Sequence, residues 1–429
     1  MDIAVLLGSL FVFFALGIPI AYSLGLAAIA GALWIGVPLE AVMLKISDGV
    51  SKVAMLTIPF FVLAGAIMSE GGMAKRLVAF ANVLVGLVRI RGGLSAVNII
   101  ATTFLSGISG SSVADTSAIG SVMIPQMERV GFPRVFATNV TISASVQAIL
   151  VPPSHNAVIY SLATGGLISI TSLFMAGIVP GLLLGFALML LCLYIAYRDR
   201  HPTGQSVPLR EAARITIDAL WGLVTIVIII GGILGGVFTA IEAGAVACLW
   251  AFFVTMFVYR DYRWRDLPGL VHRTLKTVAM VMTLIACASS FGYVMALMQI
   301  PAKVTAFFLT LSHDKDVILM LLNVLMLILG CLMDMAPLIL ICTPIMLPVV
   351  TTLGVDPVHF GMIMLLNLGI GLLTPPVGAT LFVGCAVGKV TMEQVMRGIW
   401  PFYAVMFAVL MLVTYIPSIS LWFPRLLHM

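Results

Sequence analysis

Apolar runs follow one another along most of this chain, separated by short polar clusters, and roughly 20 apolar residues suffice to cross a hydrocarbon core. By that measure residues 1 to 422 hold about ten to twelve crossings. The pattern predicts an all-α, polytopic membrane protein. Residues 3 to 37 form a run too long for one untilted helix and are interrupted at Gly17, Ile18 and Pro19, so two helices or one broken helix fit equally. Residues 40 to 53 set Glu40, Lys45, Asp48 and Lys52 among apolar positions, and residues 73 to 91 do the same with Lys75, Arg76, Arg89 and Arg91. Both read as amphipathic helices lying at the interface or packing on another subunit.

Sliding the second half over the first reveals an internal repeat. At one constant shift Gly107 meets Gly330, Met123 meets Met346, Pro125 meets Pro348, Gly131 meets Gly354 and Leu150 meets Leu373. Pro152 and Pro153 then meet Pro375 and Pro376, and Gly165 meets Gly388. Slightly out of register, Met175, Gly177, Ile178 and Pro180 meet Met396, Gly398, Ile399 and Pro401. Kept Gly and Pro spacings record shared backbone geometry. Repeats in membrane proteins commonly have inverted topology, with the transport site where they meet near the midplane. The chain then divides into scaffold and arm helices (1–92), a first repeat (93–197), a cytoplasmic connecting loop (198–217), a second scaffold and arm region (218–315) and a second repeat (316–429).

Residues 136 to 197 contain no Asp, Glu, Lys or Arg, yet their middle reads LVPPSHNAVIY. Pro152 and Pro153 remove two backbone donors and clash with the preceding turn, so carbonyls near Ile149 to Val151 lose their helical partners. Such groups persist in hydrocarbon only where protein, water or an ion satisfies them. Pro375 and Pro376 repeat the device in LLTPPVGATLF. A single proline such as Pro180 or Pro401 merely bends a helix, whereas a duplicated pair predicts a discontinuous helix at a binding site. Upstream, SGISGSSVADTSAIGS (106–121) is a polar turn between half-length apolar segments, the signature of a re-entrant hairpin. Its counterpart, GCLMDMAPLILICTPIMLP (330–348), is less polar, so the halves are related but not equivalent.

Composition sharpens this picture. The chain of 429 residues is 62% hydrophobic and 9% charged, with mean hydropathy +1.19, where a soluble domain carries roughly 25% charged residues. Several soluble domains are excluded. The net charge of +5 does not mark a nucleic-acid binder, because the basic residues cluster between apolar runs in the positive-inside manner. Arg198, Arg200, Arg210 and Arg214 mark one cytoplasmic loop; Arg260, Arg263, Arg265, Arg273 and Lys276 mark a second. Residues 220 to 258 between them carry only Glu242 and are long enough to go out and return. The six cysteines stand singly in apolar stretches and read as packing residues. The N-terminus lacks a basic region and a small-residue cleavage pattern, which predicts a retained segment rather than a removable signal.

Asp115, Glu242 and Asp334 are the acids expected deep in the membrane, where ionisable residues are functional by default. Asp115 also fits an Asx turn or N-cap closing the hairpin tip. Glu242 fits a cap or hinge of a two-helix turn, and Asp334 fits either role. His155 reads as a hydrogen-bonding core residue or a proton carrier. Asn156 suits a polar ligand as well as a helix N-cap.

SGSSVADTSAIGSVMIPQM (109–127), LVPPSHN (150–156), SLFMAGIVPG (172–181), LTPPVGATLF (373–382) and IPFFVLAGAIMSEGG (58–72) resemble the large M subunit of TRAP (tripartite ATP-independent periplasmic) transporters, over essentially the whole chain. The resemblance implies sodium-coupled uptake of organic acids across the bacterial inner membrane by an elevator motion, with two re-entrant hairpins and two broken helices carrying the cargo. It implies a small membrane subunit, here expected as a separate polypeptide, and a periplasmic substrate-binding protein. Since a helix break supplies oriented carbonyls to a hard cation, sodium is expected where each hairpin tip meets its broken helix, at Ser106, Gly107, Ser109 and Val151 in the first half and at Gly330, Asp334, Thr374 and Gly378 in the second. The anionic cargo falls near Ser111, Asp115, His155 and Asn156. SHN is similar to members that carry sialic acid, while related sequences handle other sugar acids and carboxylates. No arginine lies in the central segments, which shifts specificity toward the delivering protein. The rival readings are a self-sufficient sodium or proton symporter, an intramembrane aspartyl protease using Asp115 and Asp334, and a channel. The protease needs a GxGD context that neither acid has, and the channel needs a continuous polar pore.

Overall fold

The computed structural model describes residues 2–86, 90–203 and 208–427, so Arg89 and residues 204–207 of the connecting loop lie outside the described residues. The N-terminal run resolves into two helices, α1 (Asp2–Ala15) and α2 (Ile20–Ile35), because Gly17 turns the chain at φ +78°. They lie side by side, with Leu6 against Gly31. The amphipathic segments are α3 (Leu39–Ser51) and, after α4 (Thr57–Glu70), α5 (Met73–Gly86). Helix α3 buries only Val42 and Gly49. Helix α5 differs from the expectation of a partner-facing surface: it buries Met73, Leu77, Val78 and Ala81 within its own chain.

The first repeat contains α6 (Gly93–Ser109), α7 (Ser112–Val130), α8 (Arg134–Ala144), α9 (Gln147–Leu150), α10 (His155–Ala163) and α11 (Ile170–Arg198). Between the repeats come α12 (Leu209–Ile226), which runs through a π turn into α13 (Gly232–Leu234), then α14 (Ala240–Phe253), α15 (Leu267–Leu297) and α16 (Ile300–Leu311). The second repeat contains α17 (Lys315–Leu332), α18 (Met335–Thr352), α19 (Pro357–Gly371), α20 (Ala379–Gly388) and α21 (Met392–Tyr415), followed by α22 (Pro417–Leu426). The connecting loop is shorter than expected, since residues from Leu209 onward are already helical. Among the described residues 8 helices are long and apolar enough to cross a membrane, or 9 if the pair Arg134–Leu150 and His155–Ala163, bent by 45°, counts as one span. This is fewer than the sequence suggested. The reason is that Gly93–Ser109, Pro357–Gly371 and Ala379–Gly388 are apolar but shorter than a span.

The two repeats are inverted, and side-chain contacts establish it. Tyr160 at the far end of the first broken helix donates to the Pro357 carbonyl at 2.8 Å, where the second begins. Val146 and Ile149 meet Gly369 near the middle of both. Ile142 meets Gly384, and Arg134 at the start of the first donates to the Gly388 carbonyl at 2.6 Å, where the second ends. The broken helices therefore run antiparallel, each with its break beside the body of the other. The exchange is reciprocal: α10 packs on α18 of the opposite hairpin, and α20 packs on α7.

The basic clusters fix the cytoplasmic side at the end of α11 and the start of α15. There Glu70 pairs with Arg273 at 2.5 Å and Arg76 with Asp261 at 2.5 Å, tying α4 to the first turns of α15 and α5 to the loop before it. The hairpin of α12 and α14 goes out and returns as expected, since Tyr259 reaches the Asp218 carbonyl at 2.6 Å. Glu242 caps its far turn: Thr239 and Glu242 form a capping box, and the carboxylate is exposed.

His201 latches the loop after α11 to the base of the first hairpin. Its ring lies 4.9 Å from that of Phe132 and 4.8 Å from that of Phe136, and the Gly92 amide donates to the Pro202 carbonyl at 3.0 Å. Burial against these rings pushes the His201 pKa below its ordinary value, with Asp199 opposing the shift. A depressed histidine pKa stabilises the latch above the unfolded value of about 6.5 and loses that contribution as pH falls through the folded pKa. Amide protection factors at residues 199, 200, 201 and 203, taken against the intrinsic exchange rate at each pH, are expected to fall below about pH 6.5, and His201→Phe to abolish the pH dependence. Unchanged protection down to pH 5 would refute the latch.

Candidate functional site

The first hairpin closes at Gly110, whose φ of +60° ends α6 in a left-handed residue. Ser111 then caps α7 by accepting from the Ala114 amide at 3.4 Å, which places Asp115 in the positive first turn of the helix. Asp115 is fully buried. Ser106 donates to one carboxylate oxygen at 2.6 Å and Ser109 donates to the other. Three predicted site residues are thus one hydrogen-bonded unit, with the cap role given to Ser111 rather than Asp115.

This tip lies against the first helix break. A Cβ on Gly110 would collide with the Pro153 carbonyl and stand 3.2 Å from the His155 amide, and one on Gly107 would stand 3.7 Å from the Pro152 carbonyl. The Pro152–Pro153 bond is cis, as is Pro375–Pro376. Val151 leaves helical geometry at ψ 125° and packs against Gly181, while the Leu150 carbonyl is directed at Gly177. Ser154 caps α10 without a capping bond, and its hydroxyl is buried with no partner among the described residues. His155 is half-buried beside the Gly110 backbone, and Asn156 is buried behind it.

The second break repeats the arrangement with backbone groups. Gly330 and Gly371 pack face to face, so that a Cβ on Gly371 would stand 2.8 Å from the Gly330 Cα. The Val377 amide donates to the Cys331 carbonyl at 3.1 Å, joining break to hairpin tip. The carbonyls of Leu372 and Thr374 converge beside Gly378, each 3.0 Å from where its Cβ would be. Thr374 donates to the Ile370 carbonyl at 3.1 Å, and Tyr403 to the Leu373 carbonyl at 2.6 Å. Asp334 is the N-cap residue of α18, exposed and without a side-chain capping bond.

From the first tip to the residues just past the second break runs a set of hydroxyls that sequence reasoning did not single out. Ser112 is 2.9 Å from Ser145 and 3.0 Å from Thr380, and Thr116 donates to Ser145 at 2.8 Å. These contacts join the first hairpin, the first broken helix and the half-helix of the second repeat. Ser112, Thr116 and Thr380 stand within motifs that were legible; Ser145 carried no signal.

Hard cations prefer oxygen ligands, and broken helices supply unpaired carbonyls already oriented. The Thr374 carbonyl beside Gly378 and the Ser154 hydroxyl, which has no partner among the described residues, fit that requirement, whereas the Leu372 carbonyl already accepts from the Leu381 amide at 3.3 Å. The protease reading does not fit. Asp115 spends both oxygens on serines and shares no hydrogen bond with Asp334, which sits on the other hairpin.

A family model described as "Tripartite ATP-independent periplasmic transporter, DctM component" matches residues 7–419. The C4-dicarboxylate TRAP transporter large permease protein DctM of Rhodobacter capsulatus is 37% identical, with 100% of this chain and 100% of that protein covered. The sialic acid TRAP transporter large permease protein SiaM of Vibrio cholerae is 36% identical over 98% of this chain and 99% of its own. Among solved structures, the YdaH transporter of Alcanivorax borkumensis superposes with a TM-score of 0.63 at 13% identity, covering 90% of this chain and 89% of that one. At that identity the likeness speaks for the fold alone.

Proposed function

This chain belongs to the DctM component family of tripartite ATP-independent periplasmic transporters, a multi-pass inner-membrane permease, and on that premise we propose that it carries a small organic acid into the cell in symport with sodium. The observation that carries the reading is the pairing of each hairpin tip with its own helix break. Sodium is held at the first by Ser106, Gly107, Ser109 and Val151, and at the second by Gly330, Asp334, Thr374 and Gly378. The anionic cargo lies between them, near Ser111, Asp115, His155 and Asn156, with Ser154 as an added donor. A carboxylate cargo agrees with the C4-dicarboxylate and sialic acid in the names of the two relatives.

An elevator motion is supported by the crosswise packing of α10 on α18 and α20 on α7, which makes hairpins and half-helices one body able to slide along α4 and α15. A small membrane subunit covers apolar residues left exposed on α3, such as Met43 and Leu44, and a periplasmic binding protein delivers cargo.

The test is uptake by liposomes holding the chain, its small subunit and its binding protein, with each component and the sodium gradient omitted in turn. Robust sodium-independent uptake, or full uptake by the chain alone, would overturn the reading. Within the complete system, Ser109→Ala and Thr374→Val should raise the half-saturating sodium concentration about tenfold, the worth of one charge-assisted contact. Unchanged half-saturation and Hill slope in both would return these residues to a packing role.

A further inference from the structure

A cavity of about 520 Å³ lies between the scaffold and the half-helix end of the first repeat, apart from both hairpin tips. Its scaffold wall carries Lys45, Asp48 and Lys52 from α3 and its C-cap, and Ser289 from α15; the facing wall includes Leu162 and Leu340 of α10 and α18. It opens on the side away from the basic loops, because α10 ends just before the start of α11 and Ser289 lies near the far end of α15.

Charge in this cavity is one-sided. Lys45 pairs with Asp48 at 3.0 Å and lies 5.6 Å from the centre of the Tyr293 ring, so its ammonium is held in place. Among the described residues Lys52 has no carboxylate within ion-pairing distance. The wall therefore keeps one uncompensated positive charge, beside a hydroxyl at Ser289. The facing wall contributes no charged side chain, in keeping with a stretch from 136 to 197 that has no Asp, Glu, Lys or Arg.

We propose that this cavity is an anion-binding vestibule that receives the carboxylate of a small organic acid on its way from the periplasmic side to the hairpin tips. The inference rests on the transport reading and adds to it: the scaffold, rather than the mobile body, supplies the cation that attracts the cargo. Attraction at the mouth of a low-dielectric cleft raises the local concentration of an anion. A cargo site without lysine or arginine among its residues also avoids holding the anion too tightly to release it.

The experiment places a thiol in the cavity without removing either lysine. Ser289→Cys in the chain with its small subunit, in nanodiscs, is modified with an anionic and a cationic methanethiosulfonate of similar size. Fragment-ion masses distinguish it from the six native cysteines, including Cys287 two residues away on the same peptide. The anionic reagent should react faster, Lys52→Gln should cut the ratio of rates about fivefold, Asp48→Asn should raise it, and Lys75→Gln, at an exposed position of α5 outside the cavity, should leave it unchanged. Millimolar succinate should slow the modification. Equal rates that ignore Lys52→Gln and Asp48→Asn would overturn the vestibule. Slowing that requires phosphatidylglycerol in the nanodisc and is absent with succinate would reassign it to a lipid headgroup. Labelling needs no transport, so absent uptake by the wild-type complex would sink the transport reading while labelling still decided the vestibule.

Discussion

Asp115→Ala is expected to abolish uptake and to destabilise the protein by about 3 kcal/mol or more, the worth of two hydrogen bonds to a charged group together with the hydroxyls left behind. Ser106 is buried and its hydroxyl donates to the carboxylate at 2.6 Å. With the acceptor gone, both serine hydroxyls lose their partner inside the hairpin tip. Asp115→Asn keeps the volume and one acceptor oxygen, so it should be milder in stability while still impairing sodium-dependent uptake. Thermal unfolding of the detergent-solubilised protein, read beside uptake in liposomes, separates the two effects. An Asp115→Ala protein that melts and transports like the wild type would show that the tip is held by backbone geometry alone.

Gly371→Ala should be nearly as damaging, although it adds a single methyl group. The added carbon would stand 2.8 Å from the Gly330 Cα and carbonyl carbon, and no side-chain rotation relieves a clash with backbone. Overpacking of this kind costs about 1 to 3 kcal/mol, and here it acts at the contact between second hairpin tip and second break. Loss of sodium-dependent uptake with a lowered melting temperature is the expected outcome. Gly36→Ala is a useful comparison: no atom lies within 4 Å of its would-be Cβ, but its φ of +71° still carries a backbone cost. Gly371→Ala should therefore be distinctly worse for uptake. If the two behave alike, the face-to-face contact of Gly330 and Gly371 is not what holds the second break.

Much of this architecture was legible because membrane embedding leaves few ways to place an irregular backbone. Two proline pairs in charge-free or nearly charge-free stretches had to be helix breaks, and the Gly and Pro matches between halves had to reflect one motif used twice. The structure places both breaks against the predicted hairpin tips. The resemblance to a transporter family rested on those same residues, and the family match spans residues 7–419. The amphipathic segments were a different matter. Periodicity marks an apolar face without saying what covers it, and the structure buries α5 on its own chain while leaving Met43 and Leu44 of α3 exposed.

By itself the sequence determined the membrane class, the repeat, the positions of both helix breaks and the polar hairpin tip. Each of these follows from local chemistry: hydropathy sets the span, proline removes the donor, and a run of serines needs polar neighbours. Tertiary structure alone decided which polar groups satisfy one another. Nothing along the chain announces that Ser112 meets Ser145 and Thr380, or that α10 and α20 exchange places across the repeat axis. The sequence likewise could not show that Lys45 and Lys52 face a cavity beside an uncharged wall. The meeting of Ser112 with Thr380 follows from the antiparallel crossing of two broken helices, which brings together residues 268 positions apart.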